Sequence, residues 1–419
     1  MIRRILLTCG LNLCILLAFG QDMEYTRKVV KDLSGKEYFG RGYVNRGDSL
    51  AALYLKKELK GMKLKSFSKD YYQSYTTPIN TYPEDLELTV GTKKLEPASD
   101  FMVYPNSPSC EGTFDLVWLN KKVMTSRRAL KEFLKKDLSD SFVVVDSTGL
   151  KNKELYKFAS QLVSENLFKA KGVIQRAGKL KFSAKTYVND YTTLVVKKSV
   201  LDTTAHQIKV KVKNQFIEEY RTQNLAAYIP GKSDSCIIFT AHYDHLGMMG
   251  SKMYPGANDN ASGVAMVLNM AKHYKKKRKP HYTLVFLLVS GEEAGFLGSE
   301  YYVENPLIPL EKTKMVINFD MVATGTEAIY LINGKTVPRE LAKLNAINKK
   351  KEYVFEMYGT GESASSDHAP FHEKGVKAIF FYTHGGNGDY HETTDVSEKL
   401  PYTQFEGIFK LVRDYIDGK

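Results

Sequence analysis

The chain is poor in cysteine and nearly devoid of tryptophan: 419 residues carry four Cys and one Trp. Cys9 and Cys14 fall within the first twenty residues, leaving Cys110 and Cys236 for the rest. Two cysteines make no disulfide framework, and Cys236, in an apolar strand-like run, reads as a small core residue. Glycine (30) and proline (13) are too few for a low-complexity or collagen-like chain. There is no internal repeat. Beyond residue 20 no second long apolar segment occurs, so stable membrane insertion is not expected and the mature protein is predicted to be soluble. Lys and Arg outnumber Asp and Glu by 60 to 47, a formal charge of +13. The basic residues are scattered and no recognition motif accompanies them, so no nucleic-acid partner is expected.

At 43% hydrophobic and 26% charged, the sequence is that of a globular protein with a large core and room for two or three domains. It begins with Arg3 and Arg4, an apolar stretch over 5–19 and then Ala18-Phe19-Gly20. The stretch is shorter than the ~20 apolar residues a membrane span needs. Small residues at Ala18 and Gly20 suit signal peptidase, so residues 1–20 are read as a signal peptide cut after Gly20. Neither Cys9 nor Cys14 sits in a Leu-x-small pattern, which argues against a lipoprotein. The protein is expected to be exported, periplasmic or secreted.

The texture then changes three times. Residues 21–100 read as an opening segment with helical spacing over 49–59 and a polar, Tyr-rich loop over 69–85. Residues 101–205 alternate short β-rich runs (114–119, 142–145, 172–175, 193–196) with basic helical stretches such as 126–136, the pattern of a separate α+β module. Residues 206–419 switch to apolar strands (236–241, 283–290, 315–319, 378–382) alternating with helical segments (261–277, 297–303, 338–349, 402–416). That alternation predicts an α/β fold: a mostly parallel sheet with helices on both faces. The run 275–279 reads as a solvated helix end before Pro280, where cations suit the helix dipole.

In such a sheet ligands bind outside the carboxyl ends of the strands. His242-Tyr243-Asp244-His245 follows the first strand, and Gly256-Ala257-Asn258-Asp259-Asn260 opens the next helix. Glu292-Glu293 follows the second strand and Asp320 the third. His384 to His391 follows the fourth, with Asp395 beyond it. Singly, each residue has a structural explanation: a strand-end His, a helix cap, an exposed acidic pair. Together, two His and four carboxylates converge on one sheet edge. So many anions in one crevice repel and resist desolvation unless divalent metal neutralises them. Mixed His and carboxylate ligands without Cys suit zinc, or less selectively manganese or cobalt. Two ions use the set: one His and one terminal carboxylate on each, and one carboxylate between.

Five segments carry a family resemblance. Residues 241–247, 256–263, 291–299, 318–321 and Tyr390-His391 are similar, in order and spacing, to the secreted two-zinc aminopeptidases, which include aminopeptidase Y and bacterial leucyl aminopeptidases. Glutamate carboxypeptidase and transferrin receptor are relatives. The resemblance covers residues 220–419 strongly and the opening 80 weakly. It implies a zinc-exopeptidase catalytic domain over 206–419, with 21–100 packing on it. Residues 101–205, through Phe142 to Asp146 and Lys171-Gly172-Val173-Ile174, resemble the protease-associated domain often inserted in this family. The resemblance further implies two zinc ions, with His242 and Asp320 on one, Glu293 and His391 on the other, and Asp259 bridging. Glu292 would be the general base, Tyr390 a donor to the oxyanion, Asp244 the residue orienting His242 and Asp395 that orienting His391. Where the family commonly has Asp, this chain has Asn258. Ser366 to Phe371 resembles a further family segment without assigned chemistry, and the loop 385–388 reads equally as pocket lining or as a structural turn.

The expected reaction is removal of N-terminal amino acids from peptides. Glutaminyl cyclase shares the scaffold but uses one zinc and a Trp-rich pocket, and the single Trp118 lies in the inserted module. A carboxypeptidase needs an Arg cluster for the substrate carboxylate, yet after Arg278 only Arg339 and Arg413 remain, both on predicted helices. A non-catalytic relative would have lost ligands or base, and all are present.

Overall fold

The computed structural model describes residues 21–147, 149–386 and 388–418. The expected signal peptide, 1–20, lies outside the described residues. Two large sheets organise the chain, one of nine strands and one of eight.

The nine-stranded sheet is parallel at its centre and at one edge, where Met357–Gly359 pairs parallel with Ala328–Ile332. Thr283–Val289, Cys236–His242, Thr313–Phe319 and Ala378–His384 lie side by side and parallel, in that order. On one flank Gln215–Ile229 runs antiparallel to Thr283–Val289, and on the other Ala328–Ile332 runs antiparallel to Ala378–His384. The sheet is therefore mixed rather than mostly parallel. The reason is the length of the connections: 230–235 and 320–327 are too short to hold a crossover, which a parallel return requires.

Alternate residues of the central strands face opposite layers. Phe239, Phe286, Ile317 and Ile379 pack with Val29, Leu55, Val264, Leu268 and Phe409, from four helices on one face. Ile238, Val285, Val316 and Ala378 pack with Tyr302 and Phe371 on the other. Helices stand at Gly263–Lys275, Leu297–Glu304, Pro338–Lys351 and Phe405–Asp417, close to the predicted spans. Cys110 and Cys236 are buried and free.

The Tyr-rich segment 69–85, read as a loop, contains instead the strand Tyr72–Thr81, paired antiparallel with Gln215–Ile229. Its burial alternates, with Gln73, Tyr75 and Thr77 inward. Inward polar side chains hide the period-2 signal that apolar ones would give. They find partners across the fold: the Gln73 amide donates to the Asn305 carbonyl and the Tyr75 hydroxyl to the Ser290 carbonyl.

The second sheet has a parallel core of Cys110–Leu119, Ser141–Val145, Gly172–Ala177 and Thr192–Lys197. Gln207–Val212 and Glu87–Val90 extend it antiparallel, so it draws strands from both sides of 101–205. Among the described residues no helix is long and apolar enough to cross a membrane.

Candidate metal centre

The four parallel strands end at one edge, and the side chains of interest stand there. His242 is the last residue of its strand; Glu292 and Glu293 follow Thr283–Val289, and Asp320 directly follows Thr313–Phe319. Asp259 lies in the irregular turn ahead of the helix Gly263–Lys275. His391 is in the loop beyond Ala378–His384, with a left-handed backbone (φ 58). The turn before Asp259 needs glycine. Gly256 has φ +60, and a Cβ there would lie 2.2 Å from the Asp259 carbonyl oxygen and 2.4 Å from the His245 ring.

The five side chains form a chain of short steps. His242 Nε2 lies 3.4 Å from both Asp259 Oδ1 and Asp320 Oδ1. Asp259 Oδ2 is 3.4 Å from His391 Nε2, which is 3.1 Å from Glu293 Oε2. Glu292 Oε2 stands 3.9 Å from His242 Nε2. Two triplets have ligand atoms all within 4.8 Å of one another: His242, Asp259 and Glu293, and His242, Glu292 and Asp320. All of these residues are buried except Glu292, whose side chain is largely enclosed, at 13% exposure.

Supporting contacts fix the rings and carboxylates. His242 Nδ1 donates to the Asp244 backbone carbonyl at 3.1 Å. The Asp244 carboxylate is 3.8 Å from that nitrogen and instead accepts the backbone N–H groups of Glu292 and Glu293. Asp244 thus orients His242 through its main chain and the Glu292-Glu293 turn through its side chain. Asp395 does not stand behind His391. Its carboxylate accepts the N–H groups of Asn258 and Asp259, while His391 Nδ1 donates to the Phe182 carbonyl at 2.7 Å. The reason is topological: the 392–396 turn packs under the Asp259 loop, leaving the His391 ring facing the second-sheet region.

Several contributors carried no role in the sequence reading. His245, fully buried, donates from Nδ1 to Glu293 Oε1 at 2.7 Å. Ser366 donates to Asp320 Oδ2 and accepts from the Asn318 amide, each at 2.8 Å, so the 366–371 segment supports Asp320. Asn258 accepts from the Ala323 N–H and donates to Thr324 Oγ1, a double role that an ionised Asp could not play. Arg41 is fully buried. Its guanidinium donates to the carbonyls of Leu33, Tyr243, Pro255, Gly256 and Asp259. It ties the opening segment to both loops that carry His242 and Asp259. Neither spacing nor periodicity flags an arginine 202 residues from its partner Tyr243.

The electrostatics are those of crowded anions. Burial, opposed by His242 and reinforced by the charges of Glu293 and Asp320, pushes Glu292 well above the carboxylate range. Burial raises Asp244 to about 7 and Asp367 to about 6. Burial also works against a charge on Asp259, but the close approach of the His242 and His391 rings outweighs it and holds that carboxyl well below the usual range. For His391 burial opposes the charged form, yet Glu293 and Asp259 lift it to about 11. The donor set fits divalent cations. His242 Nε2 and Asp320 Oδ1, 3.4 Å apart, are both buried without a hydrogen-bond partner, as atoms facing an ion would be.

A cavity of about 290 Å³ opens onto this cluster. Met321, Ile332, Phe380 and Tyr382 form its apolar wall, with Asp259, Glu292, Asp320 and His391 at its polar end. Tyr390, 45% exposed, stacks on the His391 ring at 3.8 Å and shares the cavity. Gly385, Gly386 and Gly388 line an adjoining hollow beside Asp259.

With the geometry established, the sequence over 224–416 matches the signature of Peptidase family M28. These residues are a peptidase family M28 domain. The M28 domain thus contains the whole cluster, while Arg41 and Phe182 reach it from outside. Aminopeptidase YwaD of Bacillus subtilis (strain 168) is 31% identical over 163 residues, 36% of this chain and 32% of that protein. A probable leucine aminopeptidase of Arthroderma otae is 27% identical over 242 residues, 53% of this chain and 62% of its own length. The chain thus matches about a third and about three-fifths of these curated relatives. Among solved structures, the zinc aminopeptidase BSAP from Bacillus subtilis superposes with a TM-score of 0.70 at 20% identity, covering 96% of this chain and 95% of that one. The aminopeptidase from Aneurinibacillus sp. strain AM-1 gives 0.65 at 22%, covering 94% and 93%. The likeness extends to the fold of nearly the whole chain, including the second sheet.

Proposed function

We propose that the M28 domain is a metal-dependent exopeptidase that removes N-terminal amino acids from peptides, using two zinc ions. One observation carries this reading: an apolar cavity ends in a cluster of carboxylates and histidines, and among the described residues that line it there is no Arg or Lys. A cavity of that polarity suits the ammonium of a free N-terminus and an apolar first side chain, and it offers no partner for a substrate carboxylate.

His242 and Asp320 would hold one ion, Glu293 and His391 the other, with Asp259 between them. When bound, the ions supply Lewis acidity, polarising a carbonyl and acidifying water. Glu292 is the proton carrier: its carboxylate takes a proton from the attacking water and returns it to the leaving amine. Burial raises the proton affinity of Glu292, so its carboxylate, ionised beside bound cations, would be a stronger base than a solvated one. The Tyr390 hydroxyl, partly shielded against His391 and facing the nearby carboxylates, stays protonated and would donate to the developing oxyanion. His245 and Ser366 hold the outer oxygens of Glu293 and Asp320.

The same reading divides the chain into a signal peptide at 1–20, a segment at 21–100 packing on the catalytic domain, a protease-associated-like insert at 101–205 whose sheet also takes the flanking strands Glu87–Val90 and Gln207–Val212, and the catalytic domain at 206–419. It makes the protein an exported enzyme whose mature chain starts at Gln21, which N-terminal sequencing of the secreted or periplasmic form tests.

The test of activity is a panel of aminoacyl-anilides, N-blocked peptides and N-terminal glutaminyl peptides, with and without chelator. Cleavage that requires a free amine and disappears with chelator is the expected result. Turnover of N-blocked peptides from the carboxyl end, or cyclised glutaminyl product, would replace this reading.

A further inference from the structure

The His391 ring takes its orientation from a distant part of the chain. We propose that the segment 181–185, between the second-sheet strands Gly172–Ala177 and Thr192–Lys197, is a positioning element for His391, with the Phe182 carbonyl selecting its tautomer. This rests on the reading that His391 is a metal ligand.

A carbonyl oxygen only accepts. At 2.7 Å from Nδ1, that of Phe182 therefore holds the proton on Nδ1. In the neutral ring the lone pair is then on Nε2, the nitrogen that faces Asp259 and Glu293. Ligating histidines generally need such an acceptor on their other nitrogen. His242 finds its acceptor two residues along its own loop, at Asp244. His391 finds its acceptor 209 residues away. Among the described residues its own left-handed loop supplies no acceptor for Nδ1.

The carbonyl is firmly mounted. The Phe182 ring is buried and stacks on Tyr254, centroids 5.1 Å apart and planes 23° from parallel. Both rings belong to the apolar cluster of the second sheet. On the C-terminal side, the Ala184 N–H donates to the Glu293 carbonyl at 3.3 Å, and the Lys185 carbonyl accepts from the Asn80 N–H at 2.9 Å. The segment therefore touches both residues assigned to the same ion: His391 through its ring and Glu293 through its main chain. The segment's direct contacts in this way couple it first to the ion that His391 and Glu293 would hold.

The experiment uses the full mature chain, stripped of metal and titrated with Zn²⁺ by calorimetry, and with Co²⁺ by its visible spectrum. Phe182→Ala removes the ring that anchors the carbonyl. It is expected to weaken one of the Zn²⁺ equivalents by ~10–100-fold, the range for losing a partner of a ligating histidine. The other equivalent should hold its affinity, and Phe182→Tyr should restore the first. The unfolding midpoint of the metal-free protein identifies any variant that has merely lost its fold. Should Phe182→Ala fail to fold, Tyr254→Leu, which removes the other half of the stack, carries the same expectation. Wild-type affinities for every equivalent in a folded Phe182→Ala protein would overturn the proposal, as would equal weakening of all equivalents. A wild type that binds no Zn²⁺ would overturn the metal-centre reading itself and this inference with it.

Discussion

Asp395 accepts the backbone N–H of Asp259 at 3.1 Å, and through the same carboxylate the N–H of Asn258 at 2.9 Å. A buried anion thus holds the main chain of the loop whose side chain sits at the centre of the cluster. Asp395→Asn keeps the volume but turns an amide toward donors. The expected result is a loss of roughly 1–3 kcal/mol of stability, the cost of leaving buried donors unpaired, together with weaker metal binding. Chemical denaturation and metal content of the purified protein check both.

Glu292→Gln separates proton transfer from metal binding. The variant should retain its metal and lose turnover by ~10²–10⁴-fold. Asp259→Ala, by contrast, should lose metal and activity together. Near-normal turnover of the first variant, or full metal content in the second, would remove the role assigned to that residue. Elemental analysis alongside steady-state kinetics distinguishes them.

Arg41 is the buried cation behind the acidic cluster. Burial alone lowers its pKa, to about 10, against the pull of Asp259 and Asp395, so it stays charged at neutral pH. Arg41→Met leaves five buried carbonyls without their donor and removes positive charge from beneath the carboxylates. We expect destabilisation on the order of 3–5 kcal/mol, as when one partner of a buried charge network is lost. Arg41→Lys should recover only part, because three donors cannot reproduce a five-donor fork. Urea denaturation of the metal-free proteins measures this.

His368 offers a pH-dependent term. Burial lowers its pKa to about 4, from an ordinary value near 6.5, although Nε2 donates to the Ser363 carbonyl. The unfolded chain therefore binds the proton more readily than the folded one between these values. Stability from this group is fully present above about pH 6.5 and is lost as pH falls toward 4. The shift corresponds to about 3 kcal/mol at the low end. His368→Gln should flatten the fall in unfolding free energy between pH 7 and pH 4 by that order. An unchanged pH slope would show that the ring is not the titrating group.

The sequence was legible where physics is local. Apolar runs at 236–241, 283–290, 315–319 and 378–382 appear as the parallel centre of the main sheet, because a strand buried on both faces must be apolar throughout. It was illegible where inward positions are polar, as in Tyr72–Thr81, and where strand direction depends on a connection's length. The candidate residues could be picked out by their position past strand ends, since any open α/β sheet presents that edge to ligands. Their partners could not. Asp395 serves Asp259 and not His391, and the His391 ring answers to Phe182.

Sequence alone thus determined which side chains stand at the rim of the sheet, through hydrophobic patterning and motif order. Only the tertiary structure decided what holds them. Arg41 and Phe182 act through hydrogen bonds that main-chain carbonyls accept across 202 and 209 residues. Every residue type carries the same carbonyl, so such a bond leaves no mark in the sequence.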